Sequence, residues 1–164
     1  MTLGRLSAGH KIAIWTILLV ALDQFVKLMV HAHLEVGEHI EVFPWFNLCY
    51  VENPGFAFGM QLGSGDGGFD WGKMILSLFR IVMIGALIYG IRYLLRKGSE
   101  VPKGVIVGAV LILAGAIGNM VDSAFYGLIF SESTFTSVAE LVPFGEGYAP
   151  FLYGKVVDML YFPL

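Results

Sequence analysis

The sequence predicts a mainly α-helical integral membrane protein with three transmembrane helices and a small extracytoplasmic β-sheet. Hydrophobic residues occupy 57% of the 164 positions and charged residues only 14%, proportions that are unusual for a soluble domain. Apolar stretches at about 12–30, 74–95 and 105–121 fall within the range of lengths that cross a hydrocarbon core about 30 Å thick. The length favours a single membrane domain over residues 1–164.

Polar residues interrupt two of these stretches. The first contains Asp23, Gln24 and Lys27, and the second contains Arg80 near its outer end. The third is rich in glycine and alanine, small residues that let helix backbones approach each other closely in lipid. A cleaved signal peptide matches the first stretch poorly, because its apolar region is shorter and lacks an Asp–Lys pair.

The positions of the basic residues predict the orientation. They precede the first stretch and border the connection between the second and third: Arg5, Lys11, Arg92, Arg96, Lys97 and Lys103. Because short loops rich in Lys and Arg stay in the cytoplasm, we expect a cytoplasmic N-terminus and extracytoplasmic segments at about 31–71 and 122–154. Three crossings leave the last residues outside, and their apolar, proline-containing sequence leads us to expect a fourth helix after residue 164.

The outer segments have sequence patterns of their own. Residues 39–51 are rich in β-branched and aromatic residues, which favours a small sheet or hairpin at the membrane surface. Asn53 is followed by Pro54 and Gly55, a pair typical of a type II turn. Residues 122–154 predict a second outer segment, able to act as a lid.

Several ionisable and amide side chains fall near the outer boundary. Asp23 and Lys27 are four residues apart and share a helix face, as a structural ion pair or as participants in chemistry. Asn119 and Asp122 share a face at the end of the third stretch. The helix macrodipole disfavours an anion there, so we expect Asp122 to have a specific hydrogen-bond donor. Asp158 is a further carboxylate at this depth.

Two neighbouring carboxyl groups can hydrolyse a peptide bond without a metal or a covalent intermediate. One stays ionised and accepts a proton from water, while the other stays protonated and polarises the carbonyl. From position alone, Asp122 and Asp158 form this pair. The sequence lacks an HExxH motif, a GxSxG motif and a P-loop, so we expect no metal or other cofactor. A net charge of −3 gives no reason to expect nucleic acid binding.

Four blocks of sequence, taken together, closely resemble lipoprotein signal peptidase (signal peptidase II) in order and spacing. They are Leu22-Asp23-Gln24 with Lys27, Glu52-Asn53-Pro54-Gly55-Phe56-Ala57-Phe58, Gly115-Ala116-Ile117-Gly118-Asn119-Met120-Val121-Asp122 and Gly154-Lys155-Val156-Val157-Asp158. The resemblance implies a four-helix aspartic protease of the bacterial inner membrane with an extracytoplasmic half-barrel. Members of the family cut diacylglyceryl-modified prolipoproteins just before the lipidated cysteine.

The resemblance also implies roles for individual residues. Asp158 corresponds to one of the two catalytic aspartates, whereas the second belongs to an Asn-x-Ala-Asp block that the 164 residues do not contain. We therefore expect the chain as printed to be inactive. Asn119 and Asp122 become supporting or substrate-orienting residues. Ser123 departs from the pattern, because many members have arginine after this aspartate.

The remaining correspondences and the implied partners complete the prediction. Asn53, Gly55, Asp23 and Lys27 match other recurrent polar or turn positions of the family. The implied partners are a lipid-modified prolipoprotein and membrane lipid, and we expect a monomer. Two alternatives remain from the residues alone: a small multi-pass transport or binding protein whose charged side chains line a path, and a noncatalytic membrane subunit.

Overall fold

The structure is a computed structural model that describes residues 7–54 and 71–163. It contains three long helices and a three-stranded antiparallel sheet. Each of the three helices is long and apolar enough to cross a membrane. The predicted class, a mainly helical membrane protein with a small sheet, is confirmed.

The three helices extend beyond the apolar stretches that predicted them. They are α1 (Ala8–His33), α2 (Trp71–Lys97) and α3 (Lys103–Val121). Ser7 caps the start of α1: its side chain accepts a hydrogen bond from the His10 N–H group, the usual way to satisfy a free donor at a helix start. The helical backbone thus includes polar residues on either side of the apolar stretches.

The helical backbone does not stop at Val121, the last residue of α3. It continues through a π-helical turn, Asp122–Tyr126, and a last short turn, Gly127–Ile129. The helical segment Lys103–Ile129 therefore has 27 residues, and the start of the predicted outer segment 122–154 belongs to it. Single π-helical turns inside α-helices are frequent at functional sites, and this one begins at a predicted site residue.

Helix α3 packs against both α1 and α2, which make few contacts with each other. One apolar cluster, around Ile91, Val110 and Leu113, joins the three helices toward the ends flanked by basic residues. A second cluster lies at the opposite ends, where the end of α1 meets Tyr50 of the sheet and Tyr126. Many large apolar side chains on the helices are exposed, as expected for faces that contact lipid.

The sheet has the order β1–β2–β3, with strands β1 (His39–Phe43), β2 (Phe46–Asn53) and β3 (Val156–Tyr161). Strands β1 and β2 form the hairpin predicted over residues 39–51. Strand β3 was not predicted. Its pairing with β2 aligns Asp158 with Val51 and so brings the last sequence block beside Asn53.

Candidate active site

Lys27 is the centre of a buried polar cluster between α1 and the end of α3. Its Nζ atom lies 2.6 Å from Asp122 Oδ2, 2.8 Å from Asn119 Oδ1 and 3.5 Å from Asp23 Oδ2. Lys27 is only 2% exposed and Asp122 is fully buried. The predicted pair Asp23–Lys27 therefore exists, but the closer acidic partner is Asp122 on the neighbouring helix.

Asp122 has hydrogen-bond donors on both carboxylate oxygens, as the unfavourable helix dipole predicted. Besides Lys27, Gln24 Nε2 donates to Oδ1 at 2.8 Å and the Val157 N–H group donates to Oδ2 at 3.1 Å. A buried carboxylate held in this way is poorly placed to activate water. The geometry thus favours the supporting role over the pairing of Asp122 with Asp158 that position alone had indicated.

Asp158 lies in a different environment, one residue after the amide that binds Asp122. Its side chain is exposed on β3, while Val156 and Val157 are buried. Asn53 Nδ2, at the end of β2, donates to Asp158 Oδ2 at 3.2 Å. The buried cluster therefore fixes the backbone of β3, and Asn53 holds the carboxylate. The predicted site residue Gly55 lies outside the described residues.

Two glycines of the sequence blocks allow this close packing. A Cβ atom at Gly118 would collide with the carboxylate of Asp23, and one at Gly154 would collide with the backbone oxygen of Asp122. The Gly154 N–H group instead donates to the Ser123 carbonyl at 2.9 Å. The absence of side chains lets α1 and the segment before β3 approach the end of α3.

Helix α2 contributes a polar face that the sequence analysis did not identify. Lys73 Nζ donates to the Tyr153 carbonyl at 3.2 Å and Ser77 Oγ to the Leu152 carbonyl at 3.1 Å. One turn further along, Arg80 Nη1 donates to Ser123 Oγ at 2.5 Å. The signal was present in the sequence, because positions 73, 77 and 80 have the spacing of one helix face.

A second charged network joins the sheet to residues 130–140. Glu52 accepts hydrogen bonds from Lys155 Nζ at 2.6 Å, from Ser133 Oγ at 2.6 Å and from Tyr50 Oη at 2.8 Å. Lys155 Nζ also lies 3.2 Å from Glu132. These contacts link the end of β2 and the start of β3, which lie side by side in the antiparallel pair, to the second outer segment.

The protonation of this network follows from its contacts. Burial opposes ionisation of Glu52, but the hydrogen bonds from Lys155, Ser133 and Tyr50 outweigh it and lower its pKa. Burial likewise disfavours the Lys155 ammonium group, but Glu52 and Glu132 outweigh this effect and raise its pKa. Within residues 7–54 and 71–163, no cluster of three or more His, Cys, Asp or Glu side chains is suited to bind a metal ion.

Comparisons with known proteins agree on one family. The family model for signal peptidase (SPase) II matches residues 15–164. The lipoprotein signal peptidase of Porphyromonas gingivalis is 45% identical over 162 residues, which are 99% of this chain and 67% of that protein. That of Amoebophilus asiaticus is 37% identical over 151 residues, which are 90% of this chain and 57% of that protein.

A more distant relative gives the same result. The lipoprotein signal peptidase of Fusobacterium nucleatum is 30% identical over 123 residues, which are 74% of this chain and 68% of that protein. No solved structure gives a significant match. A transport path is not favoured either, since Lys27 and Asp122 are buried against each other. The chain belongs to the signal peptidase II family of membrane proteases.

Proposed function

We propose that this protein removes the signal peptide of diacylglyceryl-modified prolipoproteins, cutting before the lipidated cysteine, and that Asp158 is one of its two catalytic carboxyl groups. The position of Asp158 is the main support: it is an exposed carboxylate on a strand that is anchored by a hydrogen bond to Asp122 at the end of α3, a helix long and apolar enough to cross a membrane. The relatives above are lipoprotein signal peptidases by name. The substrate assignment follows from that likeness.

The proposed mechanism needs two carboxyl groups, one that acts as a base and one that acts as an acid. One carboxylate accepts a proton from the attacking water, and its protonated partner donates to the carbonyl oxygen of the scissile bond. Asp158 supplies one of these groups, while the resemblance assigns the second to an Asn-x-Ala-Asp block, which is not found in the 164 residues. Surrounding lipid and protein exclude bulk water and so strengthen these interactions.

Asn53 and the buried cluster orient the catalytic group. The side-chain amide of Asn53 donates a hydrogen bond to Asp158 and so helps to orient its carboxylate. Lys27 and Gln24 fix Asp122, which in turn holds the backbone next to Asp158. We assign Asp23, Lys27, Asn119 and Asp122 to support rather than to bond cleavage.

The proposed location is the bacterial inner membrane, with the site on the extracytoplasmic side. Basic residues cluster where α2 ends and α3 begins, including Arg96, Lys97 and Lys103, and Asp158 lies by the opposite ends of these helices. Under the positive-inside rule the basic end is cytoplasmic. The substrate and surrounding lipid are the partners in this proposal, and the protein acts as a monomer.

Processing of a lipidated prolipoprotein tests the role of Asp158. Both the 164-residue chain and a version extended by any downstream coding sequence are assayed in lipid vesicles. In whichever version is active, Asp158→Asn should lower the rate at least about a hundredfold, because general acid–base groups contribute about that much or more. Glu146→Gln is the matched control, since Glu146 is an exposed acid of the outer segment. Unaltered cleavage by the Asp158→Asn variant would refute the proposed role.

A further inference from the structure

Arg80 places a charged side chain within the apolar helix α2, where desolvation of a charge is energetically costly. It lies nine residues after Trp71, the first residue of α2, which is roughly 14 Å along an apolar helix. Charged side chains at such positions are costly and normally have a partner or a function. Its side chain is half-buried, on the same helix face as Lys73 and Ser77.

Among the residues that the structure describes, the contacts of Arg80 leave most of its hydrogen-bonding capacity unused. A guanidinium group has five N–H donors, and one of them donates to Ser123 Oγ. Among residues 7–54 and 71–163, no carboxylate lies within salt-bridge distance of it. It interacts electrostatically with Asp122 and Asp158, and of these only Asp158 is exposed.

A hydrogen bond to Ser123 does not by itself explain a positive charge. Ser77 makes a similar link from α2 to the Leu152 carbonyl with a neutral hydroxyl group, at a smaller desolvation cost. A structural alternative is that Arg80 balances the net negative charge of the buried cluster, in which one cation, Lys27, faces two carboxylates, Asp23 and Asp122. That alternative predicts a loss of stability without a specific loss of substrate affinity.

The partner of Arg80 is informative in its own right. Ser123 follows Asp122 directly. Many members of the family that the sequence resembles have an arginine at this position. Here the position has a small, buried hydroxyl group, and the hydroxyl accepts from a guanidinium that reaches it from α2. A cation is thus present beside position 123 although the residue at 123 is neutral.

We propose that Arg80 is a substrate-positioning residue, which supplies from α2 the cation that this chain lacks at position 123 and donates to carbonyl oxygens around the lipidated cysteine of the substrate. The inference rests on the proposed function. Peptide carbonyls and the ester carbonyls of the diacylglyceryl group share this acceptor chemistry. A guanidinium held near Asp158 would fix the scissile bond relative to the catalytic carboxylate.

Steady-state processing by the active version of the chain tests the proposal. Arg80→Gln removes the charge but keeps an amide donor for Ser123. We expect kcat/KM to fall about ten- to a hundredfold, mainly through KM, as for a lost charge-assisted hydrogen bond, with the thermal midpoint unchanged. Arg92→Gln is the matched control, because Arg92 is an exposed arginine on the same helix. An unchanged KM for the Arg80→Gln variant would overturn the proposal, with or without a lower thermal midpoint.

An exchange of the residues at positions 80 and 123 tests whether a positive charge can act from either position. The double variant Arg80→Ser with Ser123→Arg should recover much of the activity that Arg80→Gln loses. A folded exchange variant with the parental thermal midpoint that stays as impaired as Arg80→Gln would contradict the equivalence of the two positions. Failure of Asp158→Asn to reduce cleavage is a separate result, which refutes the proposed function rather than the role of Arg80.

A change of substrate identifies the acceptor. Substrates with ester-linked and with ether-linked lipid are compared, since the ether lacks the lipid carbonyl. If Arg80→Gln impairs processing of both equally, the peptide carbonyl is the acceptor. If the effect disappears with the ether-linked substrate, the ester carbonyl is the acceptor, and either result supports binding of a carbonyl oxygen by Arg80.

Discussion

Lys27 shows at the scale of single residues how a buried charge can support a site without facing it. Its ammonium group is shared between Asp23, Asn119 and Asp122, and Asp122 passes the constraint on to the backbone of Val157. The spacing of Asp23 and Lys27 predicted one of these contacts. The closer contacts join residues more than 90 positions apart, and only the packing of α1 on α3 creates them.

Removing this charge should destabilise the protein. Lys27→Met leaves two carboxylates without their cation, and breaking one side of a buried ion pair costs roughly 3–5 kcal/mol. The unfolding free energy in detergent micelles measures this loss. Lys11→Met is the control, because Lys11 is an exposed lysine on the same helix. Equal effects of the two variants would contradict a central role of Lys27.

At the scale of elements, strand β3 connects the two polar networks. Lys155 precedes the strand and binds Glu52 of β2, while Val157 and Asp158 within it bind the buried cluster and Asn53. Sequence patterns predicted the β1–β2 hairpin, because residues 39–51 are rich in β-branched and aromatic residues. They did not reveal β3, since its side-chain burial does not alternate regularly and its register depends on β2.

The Glu52–Lys155 link should depend on pH. The pKa of Glu52 is lowered in the folded protein relative to its ordinary value of 4.5, so its stabilising effect is present above pH 4.5 and is lost as the pH falls through the lowered value. The pKa of Lys155 is raised above 10.5, so its effect is present below that pH and is lost only in stronger alkali. The link therefore holds throughout the neutral range.

Thermal midpoints across an acid pH series check this dependence. The parent chain should be more stable than Glu52→Gln near pH 7, and the difference should shrink as the pH falls below 4.5 and through the lowered pKa of Glu52. Glu132→Gln should have a smaller effect, because Glu132 is largely exposed and exposed ion pairs contribute little. A difference in thermal midpoint between parent and Glu52→Gln that does not shrink at any acid pH at which both proteins stay folded would show that charge is not what stabilises the link.

At the scale of the whole molecule, the sequence predicted the class but not the assembly of the site. Apolar length and the four blocks sufficed for three spanning helices and for the family. The prediction ended the third span near Val121, where α3 ends, but it did not include the π-helical turn and the short helical turn that follow as far as Ile129. The polar face of α2 was missed because Arg80 had no identifiable partner until the fold placed it beside Ser123.

The orientation of the whole molecule is open to a direct test. After Cys49, the single native cysteine, is replaced by alanine, new cysteines are introduced separately as Thr136→Cys and Glu100→Cys, both at exposed positions. Because the basic cluster near Glu100 favours the cytoplasm, a membrane-impermeant maleimide should label Thr136→Cys in intact spheroplasts. It should label Glu100→Cys only after the membrane is permeabilised. The reverse pattern would place Asp158 in the cytoplasm, where a site for exported prolipoproteins could not meet its substrate, and the proposed function would then fail together with the orientation.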